Sequence, residues 1–310
     1  MKKVLTLFYI VITTSSLSLN AKLIYDNLAT YQCNLEDSIN NYLEKEEFIL
    51  ALPLIEKHLN VVGQMYGHNS IEYAVDLSNA ADVYSLAADI NNAIRLAEQS
   101  LKLKKSLFGE NHIEYAISLD NLGCYYDDIG DFEKAIEFHN KALNIFFNQE
   151  GVDGKNYIIC LCNIISTCIS NNKLDKLDIF KISIFESFNA LTENASWLME
   201  NLANSYVAND RIQDALQIYR EWLNSTSRMY GENSLAHAST LKYFSEKCFE
   251  IGEYSIAIEF AIKASDVYKN LYGENHEEYI FIKMSLPGYY FYDGKFSEAI
   301  IEGEKVVDLI

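Results

Sequence analysis

Apolar side chains return along this chain at helical spacing, in blocks that themselves repeat. Tyr115, Leu119, Leu122 and Tyr126 mark one face of a helix, and Phe132, Ala135, Ile136, Ala142, Leu143 and Ile145 mark the buried face of a second. Between them Ile129-Gly130-Asp131 reads as a stop and a start, with Asp131 a good cap for the second helix. Gly123 beside the first stripe is small enough to let another helix approach closely. The block is two antiparallel helices joined by a short turn.

The same block recurs. Met65–Ser70, Leu107–His112, Met229–Ser234 and Leu271–His276 spell one phrase: apolar, aromatic, Gly, His or Glu, Asn, then Ser or His. Gly67 and Gly109 lie 42 residues apart, as do Gly231 and Gly273. The glycine can end one helix, and Asn69, Asn111 or Asn275 is placed to cap the next, with Glu72, Glu114 or Glu278 completing a capping box. A period of this size signals a solenoid, in which no unit buries its apolar face alone. The pattern predicts an all-α solenoid of about seven antiparallel hairpins, with units near 25–66, 67–108, 109–150, 151–188, 189–230, 231–272 and 273–310.

One unit is short. Gly109 and Gly231 are 122 residues apart, four fewer than three periods, and the loss falls between about 170 and 190. There Asn171-Asn172-Lys173 replaces the Gly-Asp turn and Leu177 fills an alanine slot, so less regular packing is expected.

Charge narrows the partners. The chain has 44 acidic and 25 basic side chains, a formal net charge of −19. That excludes nucleic acid, which is gripped by Lys and Arg, and disfavours an anionic membrane surface. A protein or peptide partner of basic character fits it.

Residues 1–21 read as a signal peptide: Met1-Lys2-Lys3, an apolar run from Val4 to Ile12, then small polar residues to Ala21, with cleavage after Ser18 as the alternative. The expectation is an exported bacterial protein, periplasmic or secreted, with no membrane association after cleavage. The six cysteines do not read as a disulfide framework, because Cys160, Cys162 and Cys168 fall in one helix and Cys168 and Cys248 take core slots. Buried free thiols are expected, with no metal and no cofactor. Of the histidines, His112 and His276 sit in the repeated connection, and His139 is expected to face outward. No phosphate loop or nucleophile elbow occurs, so a non-catalytic chain is expected.

The residues Leu119-x-x-Leu122-Gly123-x-x-Tyr126, with Gly130-Asp131-Phe132-x-x-Ala135 and Ala142, resemble the tetratricopeptide repeat. The 42-residue spacing and the connecting phrase are similar to the long-helix variety of kinesin light chains, and more so to bacterial arrays that precede a caspase-like CHAT domain. The resemblance implies a right-handed superhelix whose first helices line a concave groove. Groove-matching positions here are Asn79, Asn121, Asn163 and Asn201, whose amides suit a peptide backbone or, alternatively, bond the backbone of a neighbouring helix. Asp76, Asp82, Asp120, Asp127, Asp128 and Glu200 make the groove acidic, with Asn204 beside them and Lys242 a lone cation. Phe281, Phe291 and Tyr292 read either as aromatic contacts or as core.

The resemblance implies a scaffold that holds an extended segment. The alternative is the sensor part of a CHAT protein whose catalytic domain is absent here. The apolar stretch from Val306 to Ile310 bears on that alternative, and self-association through this end is also expected.

Overall fold

The structure, a computed structural model, describes residues 22, 25–152, 154–180, 183–184 and 196–309. The expected signal peptide, 1–21, lies outside the described residues, as does much of the stretch between 181 and 195. The chain divides into two compact units, Met1–Thr167 and Cys168–Ile310. Among the described residues every regular element is helical, and none of the helices is long and apolar enough to cross a membrane.

The amino-terminal unit runs α1 (25–43), α2 (Phe48–Tyr66), α3 (Ile71–Leu86), α4 (Ile90–Phe108), α5 (Ile113–Asp128), α6 (Phe132–Glu150) and α7 (Lys155–Ser170). Odd-numbered helices here are the first of each hairpin, and consecutive helices from α2 to α6 pack on one another. The hairpins close tightly because small residues meet at the crossing: Ala51, Ala93 and Ala135, one period apart, are all fully buried. Around them Leu77, Tyr84, Leu96, Leu122 and Tyr126 form one continuous core shared by neighbouring hairpins. Sharing is what a period of two helices demands, since each hairpin has an apolar face on both sides.

The carboxy-terminal unit opens with a 3-10 helix, η1 (Leu174–Ile179), at the place where the sequence loses four residues. Leu177, in the alanine slot, is fully buried there. The regular hairpins resume with α8 (Ser196–Ala208), α9 (Ile212–Tyr230), α10 (Leu235–Glu250), α11 (Tyr254–Tyr272), α12 (Glu277–Tyr292) and α13 (Phe296–Leu309). Ala215 and Ala257 repeat the buried crossing, and the Tyr219 ring stacks on Phe244 at 4.5 Å.

The connecting phrase works one residue later than expected. Asn69, Asn111 and Asn275 lie in the turn, and the caps are Ser70, His112, Ser234 and His276. Each offers a side-chain acceptor to a first-turn amide; for example, Ser70 accepts from Tyr73 N and His112 Nδ1 from Glu114 N. Ser and His therefore alternate at the sixth position because each can accept a hydrogen bond there. The preceding glycine, Gly109 for one, takes φ +87, a left-handed conformation that ends a helix without strain.

Candidate functional site

In the amino-terminal unit the exposed faces of α1 and α3 enclose a cleft of about 730 Å³ floored by α2. Ile71, Val75 and Leu86 leave apolar surface at its walls, and Asn79 is exposed within it. Glu36, Glu72, Asp76 and Asp82 line it, and His58 is the one basic side chain among the described lining residues.

His58 is buried and bonded on both sides. Its Nδ1 lies 2.9 and 3.0 Å from the two carboxylate oxygens of Asp76, and its Nε2 lies 3.0 Å from Glu36 Oε1. A neutral imidazole carries one N–H and cannot serve both carboxylates, so this geometry calls for the imidazolium. The bond to Asp76 raises the His58 pKa most; burial opposes it, and the Asp76 charge and Glu36 add to the rise.

This trio occupies a repeated place. One period on, Glu36, His58 and Asp76 become Ser78, Ser100 and Ser118, and Ser78 and Ser100 are bonded at 2.8 Å. A further period on, the outer two positions hold Asp120 and Cys160. The histidine comes from one turn earlier, as His139, with Nδ1 2.6 Å from Asp120 Oδ1. Each set draws on a first helix, its own second helix and the next first helix, although Ser118 bonds Glu114 O of its own helix rather than Ser100.

His139 is therefore not outward: it is fully buried, packed against Gly123, and its Nε2 has no hydrogen-bond partner. Asp120, His139 and Cys160 bring potential metal donors within 4.8 Å of one another. Two ligands of a tetrahedral zinc, each about 2.0 Å from the ion, stand about 3.3 Å apart. Nδ1 and Oδ1 are closer than that, so the trio is built as a hydrogen-bonded node. The Cys160 thiol donates to His139 O at 3.4 Å, and burial, then the Asp120 charge, pushes its pKa far up.

Most of the acidic positions read from the sequence are engaged between neighbouring first helices. Asp120 Oδ2 accepts from Asn163 Nδ2 at 3.0 Å, and Asp127 accepts from Thr167 at 3.1 Å. Asp82 accepts from Tyr125, Asp128 accepts from Ser85, and in the carboxy-terminal unit Glu200 accepts from Tyr243. Tyr243 stands where the asparagine series ends, and it makes to Glu200 the tie that Asn163 makes to Asp120. Burial raises the pKa of Asp82, against the lowering effect of the Tyr125 hydroxyl.

The asparagines divide accordingly. Asn163 bonds a neighbouring helix, through a carboxylate rather than the backbone; Asn121 is half-buried; Asn79, Asn201 and Asn204 are exposed. Lys242 is paired with Glu278 and lies 4.6 Å from the Phe281 ring centre. Phe281, Phe291 and Tyr292 are exposed, although Tyr292 touches Phe249 edge-on and Phe291 meets Phe296. A second cavity, about 580 Å³ in the carboxy-terminal unit, is lined largely by α9 and α11 and mixes Arg220 and Lys263 with Glu232, Glu259 and Asp266.

Glu36 and His58 had no place among the residues singled out by sequence. The available signal was spacing: Glu36 to His58 and Ser78 to Ser100 are each 22 residues apart, and the inter-repeat ties of Asp82, Asp120 and Glu200 each span 43.

Family profiles described as tetratricopeptide repeat match residues 92–146 and 197–236. No curated protein matches the chain. Among solved structures, the chain is similar to nearly identical TPR-like repeats of a Podosopora anserina kinesin light chain. That likeness has 14% identity and TM-score 0.52, covering 63% of this chain and 94% of that one. It is also similar to aspartyl phosphate phosphatase F from Bacillus subtilis, at 14% identity and TM-score 0.48, over 88% of this chain and 68% of that one. With a repeat profile matched in each of its two units, and the same capped hairpin built around buried alanines in both, the chain carries tetratricopeptide repeats in both units.

Proposed function

We propose that this protein is a non-catalytic scaffold that holds an extended segment of a partner protein, with the cleft between α1 and α3 as its principal seat. The carrying observation is the cleft itself: exposed apolar walls, an exposed amide at Asn79 and an acidic lining, all on one rigidly packed set of hairpins. Interaction is what a tetratricopeptide scaffold offers, and apolar pockets with a few polar groups are the usual place for it. Asn121 on α5, and Asn201 and Asn204 on α8, offer further amides to a backbone. Asp82, Asp120, Asp127, Glu200 and Lys242 contribute charge while tied to their neighbours. The run Met1–Ala21 supports action outside the cytoplasm.

An array of extended peptides probed with the whole chain tests this. Val75→Arg places a long side chain into the cleft from an exposed wall position, so the bound set should vanish. An unchanged set would move binding away from the cleft.

A second reading, the sensor part of a larger CHAT-type protein, draws on the exposed row Phe296, Ile300, Ile301 and Val307 on α13. Sequencing the gene beyond codon 310 tests it; an immediate stop removes it.

A further inference from the structure

The cleft holds a cation of its own. His58 is clasped between Asp76 at 2.9 Å and Glu36 at 3.0 Å, at the floor of a cavity whose other ionisable lining residues are Glu72, Asp82 and Tyr66. The architecture does not require this charge, because one period on α3 and α4 are joined without one, by Ser78 and Ser100, while Ser118 turns to Glu114 O of its own helix. The two carboxylates also differ in access. Asp76 is 14% exposed and Glu36 46% exposed, so Glu36 can turn toward the cleft while Asp76 stays with the ring.

We propose that the floor of the cleft is a cation subsite, in which a lysine or arginine of the bound segment takes Glu36 and His58 gives up a proton. The occupant is thus an extended segment that alternates cationic with apolar side chains, the former meeting Glu36 and the latter the walls at Val75 and Leu86. One proton leaves His58 for solvent as one side-chain cation arrives, so the charge of the subsite is unchanged. The neutral ring keeps its single N–H for Asp76. From α1 the groups facing His58 are Glu36 and its partner Gln32; from α3 they are Asp76, with Glu72 and Asp82 along the same helix. Because proton and ligand cation compete, affinity rises with pH by about tenfold per unit while His58 is protonated, and levels off above its titration point.

The inference rests on the cleft being the binding surface, and the test separates the two. Two fluorescein-labelled octapeptides are used, one alternating lysine with leucine and one alternating glutamine with leucine. Binding to the full chain is followed by anisotropy at about pH 5.5 and about pH 8, either side of the imidazole range. The lysine peptide should bind at least about tenfold more tightly at the higher pH, the glutamine peptide should change little, and His58→Gln should abolish the pH dependence. In the parent protein, adding the lysine peptide should shift the NMR titration of the His58 ring to lower pH, which needs no variant to fold. Equal pH responses of the two peptides, or an unmoved His58 titration at saturation, would overturn the subsite and leave the cleft. Failure of both peptides to bind would overturn the cleft and the subsite together.

Discussion

Gly123→Ala sets two helix rules against each other. In an open helical position the change is favourable by about 1 kcal/mol, because glycine costs backbone entropy. At Gly123 an added Cβ would lie 2.5, 2.6 and 2.7 Å from three ring atoms of His139. That is about an ångström inside ordinary contact. The ring has nowhere to go: it is fully buried and tied to Asp120 at 2.6 Å. Overpacking of this kind costs about 1–3 kcal/mol, and the upper end applies where neither partner can swing away. The net expectation is a loss of about 2 kcal/mol in the parent. In a His139→Ala background the obstacle is gone and the same substitution should gain up to about 1 kcal/mol, a coupling of about 3 kcal/mol. Urea denaturation followed by circular dichroism on the four proteins measures it, with slopes compared to check that the array unfolds as one transition. An equal effect in both backgrounds would refute the reasoning, as would a stabilised single variant.

Tyr243→Phe keeps the ring beside Phe244 and removes only the tie to Glu200; a stability loss of about 1 kcal/mol in the same urea assay is expected, and none would mean the tie is idle. His58 makes stability depend on pH. Its folded pKa is raised above 6.5, so its contribution is fully present below the unfolded imidazole value and is lost as pH rises through the folded one. His237, whose pKa burial lowers, works in the opposite sense, so across that window urea midpoints should fall with rising pH in the parent relative to His58→Gln. Brief iodoacetamide treatment of the folded protein should modify Cys33, which is exposed, and spare Cys160, Cys168 and Cys248, which are buried. Burial pushes the Cys248 thiol up to about 12, and mass spectrometry with and without denaturant reads the difference.

The hairpins were legible because their signals are local. A glycine free to take positive φ, an acceptor just after it and alanines at the crossing are all properties of a residue and its near neighbours. The cap was misplaced by one residue because Asn111 and His112 can both accept, and only the course of the turn decides between them. The shortened unit was readable as missing length, and η1 now stands at that place. His139 was not readable. Helical periodicity reserves a core slot for Ala142, and burial of a histidine one turn earlier depends on Asp120 from another helix and on the space left by Gly123. The first helices show the same limit. A groove facing solvent and a tie between first helices ask for the same polar residues, so Asp82, Asp120 and Glu200 read as ligand contacts until their partners 43 residues on are seen.

The most direct test of the cleft is amide hydrogen exchange of the whole chain, free and saturated with a peptide chosen from the array. Slowed exchange in α1 and α3, with α4 unchanged, is the result this account predicts. Protection confined to the second helices α4 and α6, or none at saturation, would contradict it.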